Sequence, residues 1–74
     1  MKADFATRLK AARERRDFSQ AALAVKSGME PSMLSHYEAG SREPGMENFR
    51  KLAQALDVTA DFLLGLTDET RRLA

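Results

Sequence analysis

The sequence predicts an all-α fold, a compact bundle of five short helices, and three observations predict it. Apolar residues recur at intervals of three and four along most of the chain. β-Branched residues, which favour strands, amount to Val25, Val58 and four threonines. Residues that start or stop helices punctuate the chain closely: Ser19, Gly28, Pro31, Gly40 and Thr59.

The first helix is expected from about Ala3 to Arg16, with Phe5, Leu9 and Ala12 on one face. Ser19 is a good N-cap for a second helix from Gln20 to about Lys26, with Leu23 and Ala24 inward. Gly28 follows as a residue able to take positive φ at little cost. Pro31 suits the first position of a third helix reaching about Ala39, which makes Glu30 a weak N-cap. Met33, Leu34 and Tyr37 supply its buried side, and Gly40 ends it. Ser41 to Gly45, containing Pro44, reads as a loop. A fourth helix from about Met46 to Leu56 carries Met46, Phe49, Leu52, Ala53 and Leu56 at helical spacing, so Met33 and Met46 are expected as core filler. A short fifth helix starts at Ala60, capped by Thr59, and presents Phe62, Leu63 and Leu66. Residues 68–74 are expected as a frayed tail of the one domain.

Seventy-four residues make one small domain. A chain of this size buries only about 60% of its unfolded surface, so it needs well-packed helices or self-association. With no cysteine and one histidine, it offers neither disulfides nor a metal cluster, and no cofactor is expected. No apolar run approaches the roughly 18 residues that span a membrane. The N-terminal stretch is charged throughout and has no apolar core of a signal peptide, so a cytoplasmic location is expected.

The net charge of +1 says little, but its distribution says more. Residues 1–26 hold seven bases (Lys2, Arg8, Lys10, Arg13, Arg15, Arg16, Lys26) against three acids, a net of +4. Residues 57–74 hold four acids (Asp57, Asp61, Asp68, Glu69) against two bases, a net of −2. One basic end and one acidic end suit a polyanion on one side only, or else ordinary solvated helix faces. Arg15 and Arg16 are expected to be solvated, with phosphate contact the lesser reading.

The informative segment is Ser19 to Glu38. Two helices separated by a few residues with a glycine in the turn form a helix-turn-helix, in which the second helix projects into a DNA groove. Such a turn needs a small residue where the helices cross, a position without Cβ clash four residues later, and an apolar residue pointing back to the core. Ala24, Gly28 and Leu34 stand at those places. On the third helix Ser32, Ser35, His36 and Ala39 form a polar stripe opposite the buried side.

Phe18-Ser-Gln-Ala-Ala-Leu-Ala, Ser27-Gly-Met, Leu34-Ser-His-Tyr-Glu-Ala-Gly and Arg42-Glu-Pro resemble the Cro and phage-repressor (XRE-like) helix-turn-helix family. Leu52-Ala-Gln-Ala-Leu-Asp-Val and Phe62-Leu-Leu-Gly extend the resemblance, so that it covers Phe5 to Gly65. It implies a λ-repressor-like bundle and a regulator that binds double-stranded DNA through the major groove, represses transcription and acts as a homodimer. It also implies roles for single residues. Gln20 would lie against the DNA backbone and brace the recognition helix, although a first-turn glutamine also serves as a plain capping partner. Glu30, Pro31, Ser32, Ser35 and His36 would face the groove, and Ser41 and Arg42 the phosphates. Arg13 and Glu38 match a structural ion pair between the first and third helices. The chain departs from the usual pattern at Ala22, where an acid is common, and at Glu30, where Ser or Thr is common. Its recognition face has no Arg, Asn or Gln for a two-point base contact.

Phe62, Leu63 and Leu66, with Leu73, are the candidate dimer patch, and core packing competes for the first two. Catalysis finds no support, since a lone His builds no triad and no Gly-rich phosphate loop is present. No sensor domain is expected within this chain, so no small-molecule ligand is expected either. A phage repressor, a restriction–modification controller and an antitoxin that represses its own operon all fit. The rival from another class is a protein-interaction module that keeps the fold without reading DNA.

Overall fold

The computed structural model describes residues 2–70. Five helices follow in order: α1 (Lys2–Arg15), α2 (Gln20–Ser27), α3 (Pro31–Ala39), α4 (Met46–Leu56) and α5 (Ala60–Leu64). There is no strand among the described residues. α2 packs against α3 and α4, α1 against α3 and α5, and α4 against α5. Each helix contributes to one core: Leu9 and Ala12, Leu23 and Ala24, Leu34 and Tyr37, Leu52 and Leu56, Phe62 and Leu63.

The helix starts follow their caps. Ser19 accepts a hydrogen bond from the Ala22 amide at 3.0 Å, and Thr59 accepts one from the Phe62 amide at 3.1 Å. Glu30 caps α3 with no side-chain hydrogen bond, and Pro31 sits behind it, where its missing N–H costs nothing.

All five helices end alike. At each, a residue in the left-handed region reverses the chain, and the next amide bonds back to a carbonyl five residues earlier. Those amides belong to Phe18, Met29, Ser41, Val58 and Leu66. Gly28, Gly40 and Gly65 supply three of the left-handed positions, whereas Asp17 (φ 58°) and Asp57 (φ 56°) supply the others. The residue after the reversal usually docks on the core: Phe18, Met29 and Val58 all do so. Ser41, after α3, is polar and exposed, and Leu66, after α5, is apolar and 73% exposed. The two ends that break this internal rule lie beside the polar face of α3 and at the end of α5.

Several expectations are corrected. α1 starts and stops one residue earlier than expected, and α2 runs one residue further, to Ser27. Ser27 is buried and returns its hydroxyl to the Leu23 carbonyl at 2.7 Å, which lets a polar residue sit inside the bundle. Met46 is not core filler. It is the first residue of α4 and is 90% exposed, because the apolar spacing runs one turn beyond the helices that α4 packs against. Arg16 is not simply solvated, since it donates to the Leu56 carbonyl at 3.1 Å and pairs with Asp57. It thereby closes the C-terminal end of α4, where carbonyls lack helical partners. Residues 67–70 fold back over α1 and α5, with the Thr59 amide donating to the Thr70 carbonyl at 2.9 Å.

Candidate nucleic-acid interface

The polar stripe of α3 is exposed as a unit: Pro31, Ser32, Ser35, His36 and Ala39 all face solvent, while Leu34 and Tyr37 are buried behind them. Its footing is the core. Leu34, with no exposed surface, keys the helix into the core, and Tyr37 accepts a hydrogen bond from Asn48 of α4 at 3.1 Å. The turn from α2 needs only Gly28 to Glu30, because Gly28 takes φ +72°. A side chain there would meet no neighbour within 4 Å, so glycine is used for its backbone freedom rather than for space.

Arg13 and Glu38 form a two-point pair beneath this face. Nε donates to Oε2 at 2.6 Å and Nη2 to Oε1 at 3.0 Å, with the side chains only 12% and 5% exposed. Nη1 of the same guanidinium donates to the Phe18 carbonyl at 2.7 Å, so α1, α3 and the α1–α2 turn share one arginine. The hydrogen bond to Glu38 raises the Arg13 pKa above its ordinary value; burial opposes this, and the charges of Glu38 and Glu14 assist.

Gln20, half-buried at the start of α2, joins this pair to the exposed stripe. Its Nε2 donates to Glu38 Oε1 at 3.1 Å, and its Oε1 accepts from the Ser35 hydroxyl at 3.3 Å. At the other end of the stripe, His36 Nδ1 lies 2.9 Å from Ser41 Oγ, which also donates to the His36 carbonyl at 3.3 Å. Glu30 and Arg42 stand exposed beyond the two ends of α3. The structure thus brings Gln20, Ser35, His36, Ser41, Arg13 and Glu38 into two connected networks. Ser32, Pro31, Glu30 and Arg42 lie on the surface around them.

A helix-turn-helix family model matches residues 9–63 of the chain. The chain belongs to the helix-turn-helix family. Among its members, the HTH-type transcriptional regulator YobD of Bacillus subtilis is 35% identical over 65 residues, which are 88% of this chain. The chain spans 58% of that protein's length. Among solved structures, the restriction–modification controller protein C.AhdI of Aeromonas hydrophila superposes with a TM-score of 0.80. It is 35% identical, over 84% of this chain and 94% of that one. The DNA-binding domain of the P22 C2 repressor superposes with a TM-score of 0.78, at 33% identity over 81% of this chain and 79% of that one. These likenesses bear out the λ-repressor-like bundle expected from the sequence.

The candidate dimer patch needs correction. Phe62 and Leu63 are 5% and 0% exposed, because α5 turns both into the core it shares with α1 and α4. Neither is available to a second chain. Leu66 is exposed as expected, and Leu64, not foreseen, joins it at 55% exposure. Leu73 lies outside the described residues. The sequence also gave no sign of the role of Arg8, which donates to the Phe62 and Thr67 carbonyls at 3.1 and 2.7 Å and pairs with Asp68. No helix among the described residues is long and apolar enough to cross a membrane.

Proposed function

We propose that this chain is a sequence-specific DNA-binding regulator that lays α3 in the major groove and represses transcription by occupying a promoter. The observation that carries this reading is the exposed polar stripe of α3, fixed from behind by Gln20, Glu38 and Arg13. Base reading needs side chains held in register while remaining open to the groove, and this arrangement supplies both. Ser32, Ser35 and His36 address base edges. Gln20, Ser41 and Arg42 address phosphates, which set register without carrying sequence. Glu30, at the groove edge, tolerates its surroundings by accepting from a cytosine amine. The controller and repressor-domain likenesses support the same reading.

One helix-turn-helix reads only a few base pairs, so the regulator acts as a homodimer on half-sites about 34 Å apart. Leu64 and Leu66 are the contact surface we assign to the second copy. They are exposed apolar side chains at the end of α5, where the chain departs from its own habit of docking the residue after the reversal.

The test is selection of a randomised duplex pool by the purified protein. An inverted-repeat consensus, with affinity falling on a log–log salt plot by about 0.9 per phosphate neutralised, supports the reading. No consensus, with little dependence of retention on salt, sinks it in favour of a protein-interaction module.

A further inference from the structure

We propose that the buried ion pair sets the hydrogen-bond polarity of the recognition face, so that Ser35 acts on DNA as an acceptor and selects a base carrying an exocyclic amino group. This inference rests on the DNA-reading function above and adds which base chemistry one residue reads.

The chain of reasoning starts at Glu38. Its carboxylate lies almost wholly out of water against the Arg13 guanidinium, and an ionised carboxylate only accepts hydrogen bonds. The Gln20 amide, 3.1 Å away, must therefore turn its NH2 group towards Glu38. An isolated glutamine has no such preference, because its two ends are nearly isosteric. With the nitrogen committed, Gln20 presents its carbonyl oxygen to Ser35 at 3.3 Å, and a carbonyl only accepts. Ser35 must donate. A serine hydroxyl has one proton, so what remains for the groove is lone pairs alone.

In the major groove adenine N6 and cytosine N4 donate, whereas guanine O6 and N7 and thymine O4 accept. A free serine pairs with either class, which is why serine is ordinarily a poor discriminator. Ser35 is not free in this sense. Ser32, on the same stripe, makes no hydrogen bond within the described structure that would commit its proton, and it keeps the usual ambiguity. The fold thereby gives direction to one of two chemically identical readers through a relay that begins in the core.

The experiment compares base preferences in the selected duplexes for wild type, Ser35→Ala, Gln20→Met and the double variant Arg13→Gln/Glu38→Gln, each checked for folding by thermal melting. Gln20→Met keeps length and removes both polar ends. The double variant frees the Gln20 amide to turn over while leaving no unpaired buried charge, and if it fails to fold, Gln20→Met carries the test alone. In wild type, the position whose preference disappears in Ser35→Ala should favour adenine or cytosine over guanine or thymine by about 3- to 10-fold, the usual worth of one hydrogen bond. In Gln20→Met and in the double variant that ratio should fall to about one, whatever happens to overall affinity. The relay is overturned if the Ser35-dependent position takes guanine or thymine. It is equally overturned if no position depends on Ser35, or if the ratio survives Gln20→Met. A wild-type pool with no consensus overturns the DNA-reading function itself, and the relay with it.

Discussion

Arg13 and Arg8 leave the same helix and hold different parts of the molecule in different ways. Arg13 reaches α3 and meets a carboxylate in two-point geometry, with both side chains nearly out of water. Arg8 reaches the end of α5, where its Nη1 serves the Phe62 and Thr67 carbonyls. Its guanidinium lies 4.8 Å over the Phe62 ring, and its carboxylate partner, Asp68, is 95% exposed. The first is a charge pair whose energy depends on both members being present. The second serves one carbonyl of α5 and one of the segment after it, and its carboxylate partner stands in open solvent, so less depends on any one of its contacts. The α2–α3 face is consequently held by interactions that do not yield, and the α5 end by interactions that exchange with solvent at small cost. The groove-reading role proposed for α3 needs the former; the contact with a second chain proposed for the α5 end tolerates the latter.

The largest break in this contrast comes at Glu38. Glu38→Ala leaves the Arg13 guanidinium buried without its partner and should cost about 3–5 kcal/mol in a urea titration. That is a large part of the roughly 5–15 kcal/mol that holds a small domain together. Removing both charges, as in Arg13→Met/Glu38→Met, should cost clearly less than Glu38→Ala alone. If the double variant is the less stable of the two, the pair is a net source of stability and not merely a costly thing to break. At the other end, Arg8→Ala should cost only about 1 kcal/mol, since water takes over the freed carbonyls. Amide exchange should speed up at Leu66 and its neighbours and stay unchanged in α3. A loss of protection in α3 on Arg8→Ala would mean that the two ends are not independently held.

How far the sequence showed all this depends on whether a feature is local. Ser19, Gly28, Pro31 and Gly40 act within a turn or so of themselves, and the start of α2 and the bounds of α3 follow from them. The end of α1 was harder, because Asp17 occupies a left-handed position that glycine usually marks. A short polar side chain tolerates that region, but aspartate has many other uses, so it carries little signal. Met46 shows the limit of periodicity: spacing gives a face, yet the neighbouring helices decide how far along that face the core extends. Phe62 and Leu63 fail as dimer contacts for the same reason. The Gln20 link was legible only as the alternative of a bracing or a capping residue. Its direction needs the three-dimensional neighbourhood of Glu38, 18 residues away.

A third arginine, wholly on the surface, completes the comparison and carries the smallest expected effect. Arg50 donates to Glu47 at 2.8 Å, one turn back in α4, with both side chains more than half exposed. The Arg50 hydrogen bond, then its charge, lowers the Glu47 pKa, with Lys51 helping and burial slightly opposing. A lowered carboxyl pKa means the folded state favours the ionised form. The contribution is therefore present at neutral pH and lost as acidification passes down through the folded pKa. Thermal melts of Glu47→Gln and wild type should differ slightly at neutral pH and low salt. The difference should shrink in high salt, because an exposed pair is screened, and disappear below the ordinary carboxylate range. Glu38→Ala should keep most of its effect in high salt, since the Arg13 pair is shielded by protein rather than by ions. If the two variants lose their effects in salt to the same degree, then burial does not separate the pair under α3 from one on an open helix face.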